Sequence, residues 1–397
     1  MMDIFKIEFK KIFKQKKTYI VWFFMVTMLL TSIHMNSLDI DHFNSLNYDD
    51  PRLLDQSIDI LKKQNDILNN NLLNTSAKDS LKKTLSSLKK SIDNLKVIQN
   101  SKSSYMDKLK AKIAIMESEK NGSQEGTMSG SPVYQYDKEL RYLRYLYDNK
   151  IPEYSYPVYN SYNSILNFLI HSSSAIIIII LIVILSSDII SREIDESTIK
   201  LLLIQPVSRL KVLIGKYFAL IVSILILIFS SFAALFIIEG IKDGIGNPSY
   251  PILINVKYSS SPVKDSLFSQ FDGNSGYFIN YITMLFILVL FFALVCITAA
   301  SISFMISSFI NKSVLSISVN IIITFGLSYL VNNTNILNSI KQYIYISYAS
   351  STEVFTGKIV STLQNENINI FTGIIVMIMT ILISLFISCK AFVKKEI

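Results

Sequence analysis

Six apolar runs dominate this chain and leave it few folds: Thr18–Met35, Ile165–Ile190, Val212–Ile238, Tyr281–Ile310, Val314–Val331 and Ile368–Cys389. A helix of about 18 or more apolar residues crosses a hydrocarbon layer of roughly 30 Å. A helix suits that layer because it satisfies its own backbone where no water can. Half of the residues are hydrophobic, clustered in these runs rather than spread at the period of a soluble core. The expected fold class is an all-α membrane protein with six transmembrane helices. The first run is the weakest, being short and carrying Thr27, Thr31 and Ser32. A basic stretch before an apolar run also fits a secretory leader. No small-x-small cleavage site follows in Ile33-His34-Met35-Asn36, which favours a retained anchor.

The net charge of +8 raises the question of nucleic acid. The placement of the charge points to topology instead. Lys6, Lys10, Lys11, Lys14, Lys16 and Lys17 precede the first run. Arg192, Lys200, Arg209, Lys211 and Lys216 lie between the second and third, Lys312 between the fourth and fifth, and Lys390, Lys394 and Lys395 after the sixth. With six crossings these segments share one face, and basic segments stay in the cytoplasm. The expectation is a plasma-membrane protein with both termini cytoplasmic. Membrane lipid is a partner, with a secondary attraction to its anionic forms, and nucleic acid is not. Cys296 and Cys389 both fall in or beside apolar runs, so disulfides and cysteine metal sites are not expected.

The runs divide the chain. Residues 1–17 read as a cytoplasmic amphipathic helix along the membrane surface, with Ile4, Phe5, Phe9, Ile12 and Phe13 on one side and Lys6, Lys10, Lys14 and Lys17 on another. It is either a plain basic flank or a helix that also touches a cytoplasmic partner. Residues 18–35 are the first crossing. Residues 36–164 form a large extracellular helical domain. Within it Leu81, Leu85, Leu88, Ile92 and Leu95 follow the 4-3-4-3 spacing of a coiled-coil seam. A second stripe runs through Leu54, Ile58, Leu61, Ile67, Leu68 and Leu72, and a third through Tyr105, Leu109, Ile113 and Met116. These stripes either pack on one another or present a stalk to a partner or substrate. Tyrosines from Tyr134 to Tyr162 suggest an interfacial belt, or alternatively an aromatic surface for substrate. Residues 165–397 hold the remaining five crossings. Between the third and fourth, Gly240, Gly244, Gly246, Pro248, Pro251 and Pro262 predict an irregular loop over 240–280, and a shorter exterior loop covers 332–367.

The runs are almost free of ionisable groups. His171 lies in the outer part of the second, as a proton relay or a satisfied polar residue, and Glu239 ends the third. Carriers driven by protons or sodium need buried carboxylates, since charge in hydrocarbon is costly. Energy must then come from outside the crossings. Ala293, Cys296, Ala300, Ser303 and Ser307 repeat at 3-4-3-4 in the fourth run, a small-residue face for close helix packing, or the lining of a passage or dimer seam. Asn320 in the fifth adds an interhelical hydrogen-bonding group. Neither Gly215-Lys216 nor Gly357-Lys358 completes a phosphate-binding loop, and the three histidines His34, His42 and His171 are scattered. No catalytic residue, resident cofactor or metal is expected.

The most informative stretch is residues 188–216. It is charged, broken by Pro206, and held between two apolar runs. A short amphipathic element there is a surface through which a soluble motor can push on membrane helices; the plainer reading is a topological anchor. Its residues are Asp188, Arg192, Glu193, Ser197-Thr198, Lys200, the leucines Leu201 to Leu203, Pro206, Ser208, Arg209 and Lys216. In that order they resemble the ABC-2 type transporter permeases, with Glu196-Ser197 where an acid and Gly usually precede the Thr. The resemblance is strong over 188–216, and the amphipathic amino terminus and span layout agree over most of the chain. The exterior segment is longer than the family's minimal pattern and resembles helical insertions of Gram-positive permeases.

The resemblance implies an ATP-driven exporter whose membrane subunit does no catalysis. ATP and Mg would sit on a separate ABC ATPase, bound as two copies beneath two permease subunits, in a homo- or heterodimer. It implies a coupling element over 188–211 and an amphipathic cargo: a peptide, an antibiotic or a lipid-like molecule. In that element Leu203 anchors the chain in the interface, Pro206 ends the helix, Ser208 caps the next, and Arg209, Lys211 and Lys216 hold it at the phosphate level. A reading from another class is an ABC-type signal-transmitting scaffold whose extracellular helices regulate an envelope enzyme or sensor.

Overall fold

A computed structural model describes residues 2–36, 48, 50–69, 75–124, 133–153, 160–198, 208–259, 270–334 and 336–394. The chain divides into two compact units, one of Met1–Leu38, Tyr159–Ser269 and Ile279–Ile397, the other of Asp39–Val158 and Gln270–Phe278.

The second unit is helical: α3 (Pro51–Asn69), α4 (Thr75–Gln99), α5 (Tyr105–Gln124) and α6 (Val133–Asp148). The seam on α4 faces inward, with Leu85, Ile92 and Leu95 buried, joined by Ile98. α5 lies between α4 and α6, so it buries two faces. Leu109 and Met116 belong to one, Ala111 and Ile115 to the other. A single stripe through Ile113 therefore misses half of its packing. Ile67 on α3 is exposed rather than in a stripe. Tyr136 is buried with Leu140, Leu143 and Leu146, which makes it a core ring and not part of a headgroup belt. The Arg141 guanidinium donates to the carbonyls of Gly273, Ser275 and Gly276 at 2.8, 2.6 and 3.0 Å. It thereby fastens 272–276 to α6, and Tyr145 packs on Phe278 with the rings tilted by 37° and centroids 4.6 Å apart.

The first unit holds α1 (Met2–Lys14), α2 (Lys16–Asn36), α7 (Ser161–Ile170), α8 (Ser172–Ser186), α9 (Ser191–Asp195) and α10 (Arg209–Lys242). After the short strands β1 (Pro251–Ile254) and β2 (Tyr258–Ser259), and beyond β3 (Gln270–Phe271) and β4 (Tyr277–Asn280), come α11 (Tyr281–Phe309), α12 (Ser313–Asn333), α13 (Ser351–Thr356), α14 (Ile359–Leu363) and α15 (Ile370–Lys394). Five helical stretches among the described residues are long and apolar enough to cross a membrane: Ser173–Asp195, Arg209–Lys242, Tyr281–Phe309, Ser313–Asn333 and Ile370–Lys394. The 21-residue α2 occupies the first predicted run but is not one of these five.

Three expectations change. The second run is not one helix. Asn160 caps α7 by accepting from the Asn163 N–H at 2.9 Å, and the backbone is extended at His171. Ser172, Ser173 and Ser174 then begin α8, and serine favours helix starts over interiors because its hydroxyl competes for the backbone. The loop over 240–280 contains the four short strands. Near them Gly357 has a φ of 86°, and a Cβ there would lie 2.0 Å from the Val256 carbonyl oxygen, so only glycine fits. Within the segment 332–367, residues 341–363 form a largely buried, polar-bonded wedge. Tyr348 is fully buried and donates to the Gln342 carbonyl at 2.7 Å, and Gly373 lets α15 approach its ring. Burial holds the Lys341 ammonium below its usual pKa.

In the helical unit burial raises Glu139 and Glu119 above the usual carboxylate range, although Tyr48 donates a hydrogen bond to Glu119 at 3.1 Å. A carboxyl whose folded pKa is raised stabilises the fold when protonated, and that contribution is lost as pH rises through the folded pKa. Protection factors of α5 and α6 amides are expected to rise from pH 7 to pH 5, and Glu139→Gln should flatten this dependence. A rise of equal steepness in the variant would exclude Glu139 as its source.

Candidate functional site

Helix α1 turns Ile4, Glu8 and Ile12, spaced four apart, toward α10 and buries all three. The approach is close because position 215 is glycine. A Cβ there would come within 2.8 Å of the Ile4 side chain. The next residue on α10 is Lys216, 1% exposed. A lone ammonium at that depth would be costly by several kcal/mol (about). It is met by two carboxylates: Nζ donates to Glu8 Oε1 and to Glu193 Oε1, each at 2.7 Å. The Lys11 ammonium reaches the same Glu193 oxygen. Beside them Lys17 pairs with Asp188 at 2.7 Å. Three acids and three lysines thus balance where α1, α2, α9 and α10 meet.

The remaining helices hold α9 from its other sides. Ser307 on α11 accepts from the N–H groups of Ile190 and Ser191 at 3.2 and 3.0 Å. These are donors that the first turn of a helix leaves without partners. Ser316 on α12 donates to the Ser187 carbonyl, and Asp195 Oδ2 accepts from the Ser313 N–H at 3.2 Å. Thr198 reaches back to the Glu193 carbonyl at 3.4 Å. α9 ends where Ser197 takes φ 55°. That left-handed conformation favours glycine, which explains why an acid and Gly are usual at this turn.

The charged residues singled out in the sequence separate into two groups. Asp188, Glu193 and Lys216 are buried in ion pairs. Lys216 is thus committed to an ion pair inside the protein. Arg192 faces outward and bonds Glu196 at 2.9 Å, an i,i+4 pair with side chains 41% and 53% exposed. Ser208 stands at the start of α10 with extended backbone, but its side chain makes no capping hydrogen bond. Arg209 donates to the Val393 carbonyl at 3.4 Å, joining the start of α10 to the end of α15. Lys200, Leu203 and Pro206 lie outside the described residues.

Ala293, Cys296, Ala300, Ser303 and Ser307 are all 2% exposed or less. They form the inner face of α11, which packs on α8, α10, α12 and α15. Asn320 is buried on α12 and donates to the Ser316 carbonyl at 2.8 Å within its own helix. Glu8 was missed as a site residue. Its signal was present, since an acid four residues from both Ile4 and Ile12 sits on the apolar stripe. A cleft of about 260 Å³ opens beside the cluster, lined in part by Lys14, Gln15, Asp188, Arg192 and Glu196. No group of three or more potential metal ligands occurs among the described residues.

This junction of an amphipathic amino-terminal helix with a short charged element between apolar helices fits the result of sequence comparison. A family model described as ABC-2 family transporter protein matches residues 2–397. The chain belongs to the ABC-2 transporter family. No curated protein matches it. As an ABC-2 permease it is a multi-pass membrane component of an ABC system, which works with an ABC ATPase and is not itself catalytic.

Two substitutions in this permease test the junction. Lys216→Gln takes away the ion-pair partner of Glu8 and leaves Glu193 with Lys11, and breaking a buried pair costs about 3–5 kcal/mol. A lower thermal midpoint in detergent is expected, with partial recovery in Glu8→Gln/Lys216→Gln; a double variant worse than the single one would contradict the charge balance. Ser197→Gly removes a left-handed strain of about 1–2 kcal/mol and is expected to raise the midpoint.

Proposed function

We propose that this permease is the membrane-spanning subunit of an ATP-driven exporter for an amphipathic peptide, antibiotic or lipid-like molecule. Six helices cross the membrane, α2 being the first, with both termini in the cytoplasm and residues 36–164 outside. Two ABC ATPase subunits, carrying ATP and Mg, bind beneath two permease subunits. Residues 188–211 form the coupling element.

The observation that carries this reading is the attachment of α9. With the turn before it, which carries Asp188, its ion pairs and hydrogen bonds reach α1, α2, α10, α11 and α12. A displacement of α9 by a partner is therefore delivered to five helices at once. The buried members, Glu193 and Lys216, hold the lever to its shaft. The exposed pair Arg192–Glu196 is the part a partner can grip. This division follows from burial, since a docking surface must be reachable while a rigid joint must be desolvated.

Co-expression with an ABC ATPase encoded beside the chain is expected to give a stable complex whose ATP turnover responds to cargo. Arg192→Ala/Glu196→Ala should lower that stimulation about tenfold or more while leaving the thermal midpoint of the permease within about a degree, because exposed ion pairs contribute little to stability. Full stimulation in the double variant would remove α9 as the point of coupling.

A further inference from the structure

Helix α1 carries four-residue spacings on more than one side. Successive residues turn by 100° around a helix, so positions four apart form stripes. The stripe of Ile4, Glu8 and Ile12 is buried against α10. About 100° round lies the stripe of Phe5, Phe9 and Phe13, half-buried, with ring centroids 5.9 and 4.8 Å apart. A further 100° on, nearly opposite the buried face, are Lys6, Lys10 and Lys14, all exposed.

The lysines of this region are not equivalent. Lys11 and Lys17 are committed to Glu193 and Asp188. Lys6, Lys10 and Lys14 form no ion pair with any described residue. The helix after the elbow at Gln15 shows apolar side chains outward: Tyr19, Ile20, Phe23 and Phe24 are 58%, 55%, 60% and 49% exposed. Such a surface belongs in lipid, and the elbow then sets α1 at the membrane boundary. A row of ammoniums beside a row of phenyl rings is complementary to one surface, a sheet of phosphates over hydrocarbon.

We propose that Lys6, Lys10 and Lys14 form a binding site for anionic phospholipid headgroups, with Phe5, Phe9 and Phe13 entering the acyl boundary below them. The protein thereby divides its basic residues: those on the buried side close the ion cluster, and those on the opposite side neutralise lipid. Because Glu8 and Lys11 tie α1 to α9 and α10, lipid held by α1 steadies the same junction. The proposal rests on α2 crossing the membrane, as in the proposed function, but not on the ATPase.

The test is native mass spectrometry of the full chain in a mild non-ionic detergent, with no ATPase present, titrated with dioleoyl phosphatidylglycerol or dioleoyl phosphatidylcholine. Each lysine near an anionic surface adds about fivefold in affinity, so three give roughly 100-fold. Phosphatidylglycerol should be retained about 100-fold more tightly than phosphatidylcholine, and this preference should shrink as salt rises. It should be lost in Lys6→Gln/Lys10→Gln/Lys14→Gln and kept in the corresponding triple arginine variant and in Lys89→Gln/Lys90→Gln. Inorganic phosphate that displaces the lipid at millimolar concentration would make this a free-phosphate site and overturn the proposal. So would equal retention of the two lipids by the unaltered chain, which would leave the lysine stripe to an acidic protein partner. If the triple glutamine variant does not fold, the lipid preference and salt dependence of the unaltered chain still decide.

Discussion

The buried ammonium of Lys216 is the interaction on which the rest of this architecture depends. Two turns into α10, it is out of reach of water and shared by Glu8 and Glu193. Each partner comes from a different helix, so the charge can be satisfied only when α1 and α9 are both in place. Apolar packing alone would let these helices slide, because dispersion and hydrocarbon contact have little direction. A buried ion cluster is weak as a source of stability but strict about geometry. Glu193 makes that strictness greater: one of its oxygens receives both Lys11 and Lys216, while the other is buried without a hydrogen-bond partner.

Around that cluster the remaining design is one of close approach. Gly215 admits α1, Gly373 admits Tyr348 to α15, and the small face of α11 admits its neighbours. In a membrane protein small residues do the work that large apolar ones do in water, since lipid offers apolar contact as readily as a neighbouring helix. The serines on these faces serve a second purpose. Ser307 satisfies the buried amides at the start of α9 and Ser316 the carbonyl of Ser187 before it. The 3-4-3-4 stripe is therefore both a packing surface and, through Ser307, the seat of the start of α9.

The ABC-2 family pattern acquires physical content from these contacts. The acid of the motif is a buried joint, the residue before the Thr occupies a left-handed turn, and the lysine that closes the motif is the counter-charge of the acid. Sequence order alone separates Glu193 from Lys216 by most of a loop, and nothing in that spacing says that they touch.

The sequence by itself determined where the apolar helices lie, because hydrophobic length is a local property and lipid imposes it segment by segment. It determined the inward face of α4, since a seam at 4-3-4-3 has only one apolar side, and it marked α11 as a packing helix through its small residues. It did not determine which charges are buried. Lys216, Arg209 and Lys211 read alike as interface lysines and arginines, yet Lys216 alone of the three is sealed against Glu8, a residue more than two hundred positions away. The break at His171, the strands within 240–280 and the buried wedge at 341–363 were equally hidden. Each depends on partners distant in the chain, such as Val256 against Gly357 or Tyr348 against Gly373. Burial of a charge or a kinked backbone is settled by what packs against it, and that is a property of the assembled tertiary structure rather than of any segment.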